Sequence, residues 1–340
     1  MQREAFIDNA KFFLIFLVVF GHVIQPMTAN SETIGVIYHW IYFFHMPAFI
    51  FLGGFFAKGS GNKGYLAKLF KKLIYPYLLF QLIYTGYYFL IGMDGWQTTV
   101  FKPHWALWFL LSLFCWHLLL IVFKKMPPLF SVVIAIEIGI IIGYISGIGH
   151  TFSLSRTFVF FPFFLMGYWI SKEQLLKVKA KSVKVTAIFV MAIVAAGIIV
   201  APTFSTSWLL GSESYASMGY PEIGGFIRLG VYLVAILMAV SIMAWVPTKE
   251  SFVTKLGQRT LYVYLLHGIF IQFFRQADLF RVNNLLDLIG LIVISFAVVL
   301  LLSSKPTLTY TQPLIEGKFS LLKNQFSQNK PRRREVQIDK

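Results

Sequence analysis

The chain has 340 residues, of which 57% are hydrophobic, 18% are aromatic and only 13% are charged. About a quarter of the residues of a soluble globular protein are charged, and no water-soluble core of this size could bury so much apolar surface. The apolar residues form long runs without period-two alternation, which excludes a transmembrane β-barrel. We therefore expect an all-α, polytopic integral membrane protein.

Ten apolar segments are long enough to be read as transmembrane helices. No small-x-small cleavage site follows the first of them, so we expect it to be retained as a spanning helix. The predicted spans cover residues 9–27, 34–57, 73–92, 106–123, 129–146, 157–171, 185–203, 226–246, 261–275 and 285–303.

The basic residues between these spans predict the orientation of the chain. If the N-terminus is cytoplasmic, the inner segments carry 24 lysines and arginines and the outer loops carry 3. This is a strong positive-inside signal, and it places both termini in the cytoplasm. The net charge of +16 then reflects topology and attraction to anionic membrane lipids, and no nucleic-acid partner is expected. Residues 1–304 are predicted to form the transmembrane domain, and residues 305–340 a basic, disordered cytoplasmic tail.

The first span carries two ionisable residues, Lys11 and His22. Ionisable groups inside a membrane helix are costly, so each is a functional candidate. Eleven residues correspond to roughly 16 Å of helix and to nearly three full turns, so both side chains leave the same face. We expect the lysine near the cytoplasmic surface, where Asp8 can pair with it, and the imidazole near the bilayer midplane. A neutral imidazole there could act as a general base towards a hydroxyl.

Two further histidines lie within predicted spans. His45 precedes Pro47, which should kink the second span, and its depth is comparable to that of His22. His267 lies between tyrosines in the ninth span. Each could line a shared cavity, or each could only hydrogen-bond between helices. The single cysteine, Cys115, and the absence of metal-ligand spacing predict neither a disulfide nor a metal site.

Five stretches stand out in order along nearly the whole chain. They are Asp8-x-x-Lys11-x10-His22, Phe44 to Gly54, Lys71 to Tyr77, Arg156 to Tyr168, and Leu256-Gly257 with Tyr264 to His267. Together they are similar to the motifs of the membrane acyltransferase-3 family. Lys11 stands where an arginine is commoner in the first motif, and in this the chain resembles the branch of fucose O-acetyltransferases.

The resemblance implies a bacterial plasma-membrane enzyme that moves an acyl group, usually acetyl, from cytoplasmic acyl-CoA to hydroxyls of envelope glycans or glycolipids. No tightly bound cofactor is expected. Because no hydrolase-like domain follows the last span in this sequence, the chain would acylate its acceptor directly or pass the group to a separate extracellular protein. His22 and Lys11 are the expected catalytic residues. Lys11, Lys71 and Lys72 are expected to hold the donor, and Asp8, His45, Arg156 and His267 to contribute to substrate binding, with Arg156 on the acceptor side.

Two other interpretations remain open from the sequence. One is a membrane O-acyltransferase of another fold, in which His267 would be catalytic. The other is a transporter or flippase of a lipid-linked glycan, in which the histidines would relay protons.

Overall fold

A computed structural model describes residues 5–59, 64–93, 99–148, 151–201 and 204–318. These residues form fifteen α-helices joined by short 3-10 turns, and no strand occurs among them. The helices are α1 Ala5–Ile24, α2 Glu32–Tyr42, α3 His45–Phe55, α4 Tyr65–Leu90, α5 Trp108–Phe123, α6 Pro128–Ile141, α7 Leu154–Trp169, α8 Lys172–Leu176, α9 Lys181–Val200, α10 Ser207–Leu210, α11 Gly224–Trp245, α12 Phe252–Gly257, α13 Thr260–Gln276, α14 Leu285–Leu302 and α15 Lys305–Ile315.

Six helical segments of the described chain are long and apolar enough to cross a membrane. They are Ala5–Met27, Glu32–Gly59, Trp105–Phe123, Lys181–Val200, Gly224–Trp245 and Leu285–Leu302. The other four predicted spans also coincide with helices, namely α4, α6, α7 and α13. Of these, α4 is long but carries lysines in its first two turns, and α6, α7 and α13 have 14, 16 and 17 residues. The protein is thus an all-helical, multi-pass membrane protein, while the count of ten crossings and the orientation stay predictions.

The second predicted span is two helices, α2 and α3, separated at Phe43 and Phe44. Pro47, where the sequence predicts a kink, is the third residue of α3, a position that needs no backbone donor. Because Pro47 has no N–H for the Phe43 carbonyl, the continuous helix fails one turn earlier than the proline itself. This break places His45 at the start of α3, near the middle of the span.

Helices α3 and α7 pack closely against each other. A Cβ atom on Gly54 would lie 1.9 Å from the Phe164 carbonyl oxygen, and one on Gly167 would lie 1.8 Å from that of Phe51. Only glycine permits this approach, in which the two backbones touch directly. Since these contacts join the C-terminal halves of both helices, α3 and α7 end on the same side of the bundle.

We call that side the basic end, and define it by the start of α1 at Ala5 and the ends of α3, α7 and α11. Lys179, which follows α8, lies 4.0 Å from the centre of the Phe6 ring, so α1 indeed begins there. The basic end is the side that the loop charges predict to be cytoplasmic. The far end is the other side, where α1 ends and α7 and α11 begin.

The residues after Ser304 differ from the expected disordered tail. The structure has helix α15 over Lys305–Ile315, in which Pro313 and Ile315 are buried. Tyr262 of α13 donates a hydrogen bond of 2.6 Å to the Glu316 carboxylate just beyond it. The expectation of disorder is therefore wrong for residues 305–318, because apolar and polar contacts fix this helix against the bundle. Residues 319–340 of the predicted tail lie outside the described residues.

At the basic end, α12 packs directly onto the first turn of α1. A Cβ on Gly257 would lie 1.8 Å from the Asp8 carbonyl oxygen. The Asn9 amide donates to the carbonyl of Pro247 at 2.9 Å and of Lys249 at 3.0 Å, and its oxygen accepts from the Thr254 hydroxyl at 2.6 Å. We call the contacts of Asp8, Asn9, Thr254 and Gly257 the α1–α12 joint.

Candidate active site

His22 lies near the far end of α1, two residues before the helix ends. Because α1 begins at Ala5 and not at residue 9, His22 lies roughly 25 Å from the start of the helix. It is therefore nearer to the far end than the sequence predicts, which places it at the bilayer midplane. It is partly buried. The Tyr42 hydroxyl lies 3.5 Å from its Nδ1 atom, and the Tyr42 ring reaches α1 because Gly21 has no side chain in its path.

His267 of α13 is fully buried and lies against His22, with 5.6 Å between the two ring centres. Its Nδ1 lies 2.7 Å from the Tyr264 carbonyl and 3.0 Å from that of Val263. Carbonyl oxygens only accept, so Nδ1 carries the proton in the neutral ring. The Nε2 atom then presents a lone pair, and it has no partner among the described residues.

Trp105 packs on both histidines. Its ring centre is 4.2 Å from that of His22 and 5.3 Å from that of His267. Gly268 admits it, because a Cβ there would lie 2.9 Å from Trp105 Cζ3. The backbone φ of Trp105 is +35°, a left-handed conformation that is rare for a bulky residue. Such strain is typical of functional sites, where surrounding contacts hold a side chain in place.

Arg275, in the last turn of α13, completes the cluster. Its guanidinium donates to the His22 carbonyl at 2.5 Å and to the Gln25 side-chain oxygen at 2.9 Å, and lies 5.4 Å from the centre of the Trp105 ring. Its buried Nε has no partner among the described residues. We call His22, Trp105, His267 and Arg275 the histidine cluster.

His45 is adjacent to this cluster but separated from it by Tyr42. The Tyr42 ring centre is 4.4 Å from that of His45, whose Nδ1 bonds to the Ile41 carbonyl at 2.9 Å. The small cavity beside His22, of about 30 Å³, is lined by Met46 and Phe49 of α3 but not by His45. Tyr42 thus contacts both histidines, and the cavity beside His22 does not reach His45.

The same cavity touches one stripe of α1. Ile15 and Val18 line it with His22, and Lys11 lies one turn before Ile15 on the same face. This agrees with the shared face predicted for Lys11 and His22. A volume of about 30 Å³ holds about one water molecule, so the path along this face is closed in this conformation.

The remaining predicted site residues lie at both ends of the bundle. Lys11 pairs with the buried Asp8 at 2.7 Å at the basic end, where Lys71 and Lys72 are exposed in the second turn of α4. Arg156, in the first turn of α7, lies 5.2 Å from the centre of the Trp108 ring, and Trp108 lines the cavity beside His22. The structure thus brings His267 to His22, leaves His45 and Arg156 one aromatic ring away, and keeps Lys11, Asp8, Lys71 and Lys72 at the other end.

The sequence interpretation missed three members of the site. They are Trp105, Arg275 and Tyr42, none of which is among the site residues expected from the sequence. A signal for Arg275 did exist, because an arginine in an apolar segment is costly enough to suggest a function.

The fold and the cluster together define a multi-pass helical membrane protein with ionisable groups gathered inside the bundle. Residues 4–304 match the Acyl_transf_3 family model, described as an acyltransferase domain. The chain therefore belongs to the acyltransferase-3 family. Searches of curated proteins and of solved structures found no match to it.

Proposed function

We propose that the protein transfers an acyl group, most simply acetyl, from cytoplasmic acyl-CoA to a hydroxyl of a cell-envelope sugar or polymer at the bacterial plasma membrane. The observation that carries this proposal is the histidine cluster itself. In a chain of an acyltransferase family, it holds two imidazoles 5.6 Å apart, one of them with an unpartnered Nε2. Membership of this family also favours the acyltransferase-3 arrangement over a different O-acyltransferase fold.

His22 is assigned as the general base. Its ring nitrogen takes the proton of the acceptor hydroxyl while the hydroxyl oxygen forms a bond to the thioester carbonyl carbon. The carbon–sulfur bond then breaks, and the CoA thiolate leaves with the proton that the imidazolium returns. His267 is assigned to acceptor binding, because its Nε2 can accept a hydrogen bond from a second hydroxyl but has no proton to donate.

Arg275 is assigned to electrostatic stabilisation. A tetrahedral intermediate carries its negative charge on the former carbonyl oxygen, and preorganised cationic donors stabilise such an oxyanion strongly. Arg275 lies beside His22 and has donor capacity left at Nε. It fits this role better than Arg156, which is one aromatic ring further away and is assigned to the acceptor side together with His45.

The donor is assigned to the basic end. Lys11, Lys71 and Lys72 are suited to the CoA phosphates, with Asp8 positioning Lys11 through their 2.7 Å ion pair. The face from Lys11 to His22 measures roughly 16 Å and is the proposed path of the pantetheine arm. Since the cavity on this face holds about one water molecule, α1, α3 and α5 must separate for the donor to reach His22.

Acyl transfer by the purified full chain tests the proposal. With labelled acetyl-CoA and a sugar acceptor, we expect transfer or slow hydrolysis by the wild-type protein and a loss of about 10²- to 10⁴-fold in His22→Gln. His39→Gln on α2 is the matched control and should keep wild-type activity. No reaction with acetyl-CoA by the folded wild type would favour a transporter or flippase.

A second comparison separates the two histidines. His267→Gln should reduce transfer less than His22→Gln and should act mainly through the KM for the acceptor. The reverse ranking would make His267 the base. Mass spectrometry of envelope glycans from a deletion strain would then identify the acceptor as a teichoic acid, exopolysaccharide, glycolipid or sugar precursor.

A further inference from the structure

A second cavity lies on the opposite side of α3 from the histidine cluster. It is a groove of about 890 Å³ at the basic end of the bundle. Helices α3 and α7 form its floor, α6 and α11 form its two walls, and residues 174–178 close its basic end. Its lining is apolar except for Gln174, Lys177 and the indole nitrogen of Trp169, which already donates to Ser131 at 2.9 Å.

The two cavities use different faces of α3. Met46 and Phe49 line the cavity of His22, whereas Pro47, Ala48 and Phe51 line the groove. At about 100° per residue, the centres of these two sets are roughly 180° apart around the helix. The groove is therefore separate from the proposed acyl-transfer path, with the full width of α3 between them.

The groove faces outwards because its walls meet only at the far end. There the backbone N–H of Gly225 on α11 donates to the Tyr144 hydroxyl at 3.1 Å, and a Cβ on Gly139 of α6 would lie 2.2 Å from the Tyr232 hydroxyl. Towards the basic end the helices diverge, and Leu129 of the α6 wall is 78% exposed. The apolar opening lies between α6 and α11, near the basic end. In a membrane, an opening at that position borders the acyl chains of the surrounding lipid.

The basic end of the groove carries positive charge. Lys179 donates to the Met243 carbonyl at 2.6 Å and also to that of Val246, which fixes the segment after α8 against the end of α11. This contact leaves Lys177 exposed at the rim of the groove, and its ammonium makes no hydrogen bond or ion pair to any other described residue. A cation at the predicted cytoplasmic surface, directly beside an apolar groove, matches an anionic headgroup with its chain attached.

We propose that this groove binds one anionic phospholipid of the cytoplasmic leaflet. One acyl chain lies between α6 and α11 over the floor of α3 and α7, and the phosphate of the headgroup lies against the Lys177 ammonium. The pantetheine arm of acyl-CoA fits the groove poorly, because its two amides would be buried with only Gln174 and Lys177 available as side-chain partners. The bound chain supports α3 on the face opposite His22.

Native mass spectrometry of the full chain tests the proposal. The protein is delipidated in detergent and titrated with phosphatidylglycerol or phosphatidylcholine of the same acyl chains. We expect one tightly retained phosphatidylglycerol, bound about fivefold more tightly than phosphatidylcholine, as expected for one lysine facing an anionic headgroup. Acetyl-CoA should not displace it.

Two pairs of variants locate the site. Ala239→Trp fills the groove from the α11 wall and should weaken retention of both lipids at least tenfold, whereas Leu237→Trp, on the outward face of the same helix, should not. Lys177→Gln should abolish the preference for phosphatidylglycerol, whereas Lys255→Gln, an exposed lysine on α12, should leave it unchanged.

Three results would overturn the proposal. They are wild-type retention by a folded Ala239→Trp protein, an unchanged headgroup preference in Lys177→Gln, and displacement of the lipid by acetyl-CoA, which would make the groove a donor site. Because Lys177 is exposed at the rim, its variant decides the matter even if Ala239→Trp does not fold.

Discussion

The buried polar groups at the two ends of α1 differ in whether they have hydrogen-bond partners. At the α1–α12 joint, Asn9 is 3% exposed and its donors and acceptor are all used, and the buried Asp8 is paired with Lys11 and accepts from Gln258 at 3.2 Å. In the histidine cluster, His267 Nε2 and Arg275 Nε are buried without partners among the described residues.

This difference separates a structural joint from a site. A buried polar group without a partner costs about 1–3 kcal/mol, so a protein retains one only where something compensates for it. The joint shows that the chain can satisfy a buried polar network fully. Buried atoms without a partner among the described residues also occur outside the cluster, for example Arg228 Nε and Ser303 Oγ. The two in the cluster are proposed to meet substrate groups because they lie beside the paired imidazoles of His22 and His267.

Gly257→Val at the joint should have the largest effect. The new side chain would start 1.8 Å from the Asp8 carbonyl oxygen, a backbone atom that cannot move without moving α1. We expect most of the protein to be lost from the membrane fraction or to aggregate on extraction, as measured by the yield of monodisperse protein. Gly290→Val is the control, because nothing lies within 4 Å of a Cβ at that position. A normal yield of Gly257→Val would show that the joint is looser than described.

Arg275→Gln in the cluster should reduce activity without reducing stability. Loss of a charged hydrogen-bond donor costs about 1.5–3 kcal/mol where it acts on the transition state, equivalent to roughly 10- to 100-fold in kcat/KM. The thermal midpoint should change little, because the variant removes the desolvation cost of a partly buried cation together with its hydrogen bonds to His22 and Gln25.

Arg228→Gln provides the matched control for this variant. Arg228 is also buried, at 3% exposure, and donates to the Trp208 carbonyl at 2.6 Å, away from the histidine cluster. Its replacement should leave specific activity unchanged. Equal losses of activity in the two variants would contradict a role for Arg275 in the reaction.

In contrast to Arg275→Gln, Asn9→Ala should reduce stability without reducing activity. It leaves the Thr254 hydroxyl proton without its acceptor and two backbone carbonyls without their side-chain donor, so unfolding should become easier by about 1–3 kcal/mol. Activity per folded molecule should stay near wild type. Thermal unfolding in detergent measures the change in stability, with Asn283→Ala at an exposed position as the control. Acyl transfer measures the activity per folded molecule. An inactive protein of normal stability would place the joint in the site.

Lys11→Gln should have the smallest effect. A single contact between Lys11 and a solvated CoA phosphate at the basic end contributes about 0.2–1 kcal/mol, so the KM for acetyl-CoA should rise up to about fivefold with kcat unchanged. Because the buried Asp8 loses its ion pair with Lys11, the thermal midpoint should also fall. Lys11→Arg keeps the charge and should keep the KM. A fall in kcat at constant KM would instead place Lys11 in the chemical step.

Much of the fold could be predicted from the sequence, because membrane helices are specified by local composition. A helix is present at each predicted span, and the acyltransferase-3 resemblance is confirmed. The break at Phe43 was displaced from the predicted Pro47, since the missing hydrogen bond affects the carbonyl four residues earlier. Helix α15 was missed because its stability depends on contacts with α13, which no local pattern encodes.

The site was predictable only where one helix carries it. Lys11 and His22 share a face of α1, so the helical period was enough to predict from the sequence that their side chains lie on one side. Trp105 reaches His22 from the turn before α5, and Arg275 reaches it from α13. The position of Trp105 depends on the absent side chain of Gly268, and both positions depend on tertiary packing. The pairing of His22 with His267 could likewise only come from the assembled bundle.

The hydrogen bonds of His267 limit how protons can move through the bundle. A histidine that relays protons takes one at one ring nitrogen and releases one from the other, which requires an acceptor for the second proton. The Nδ1 proton of His267 is held by two main-chain carbonyls, and that of His45 by the Ile41 carbonyl, and a carbonyl does not carry a proton onward. Each ring can therefore exchange a proton only at its Nε2 atom. Neither ring can pass a proton onward, which disfavours proton-coupled transport through His267 or His45.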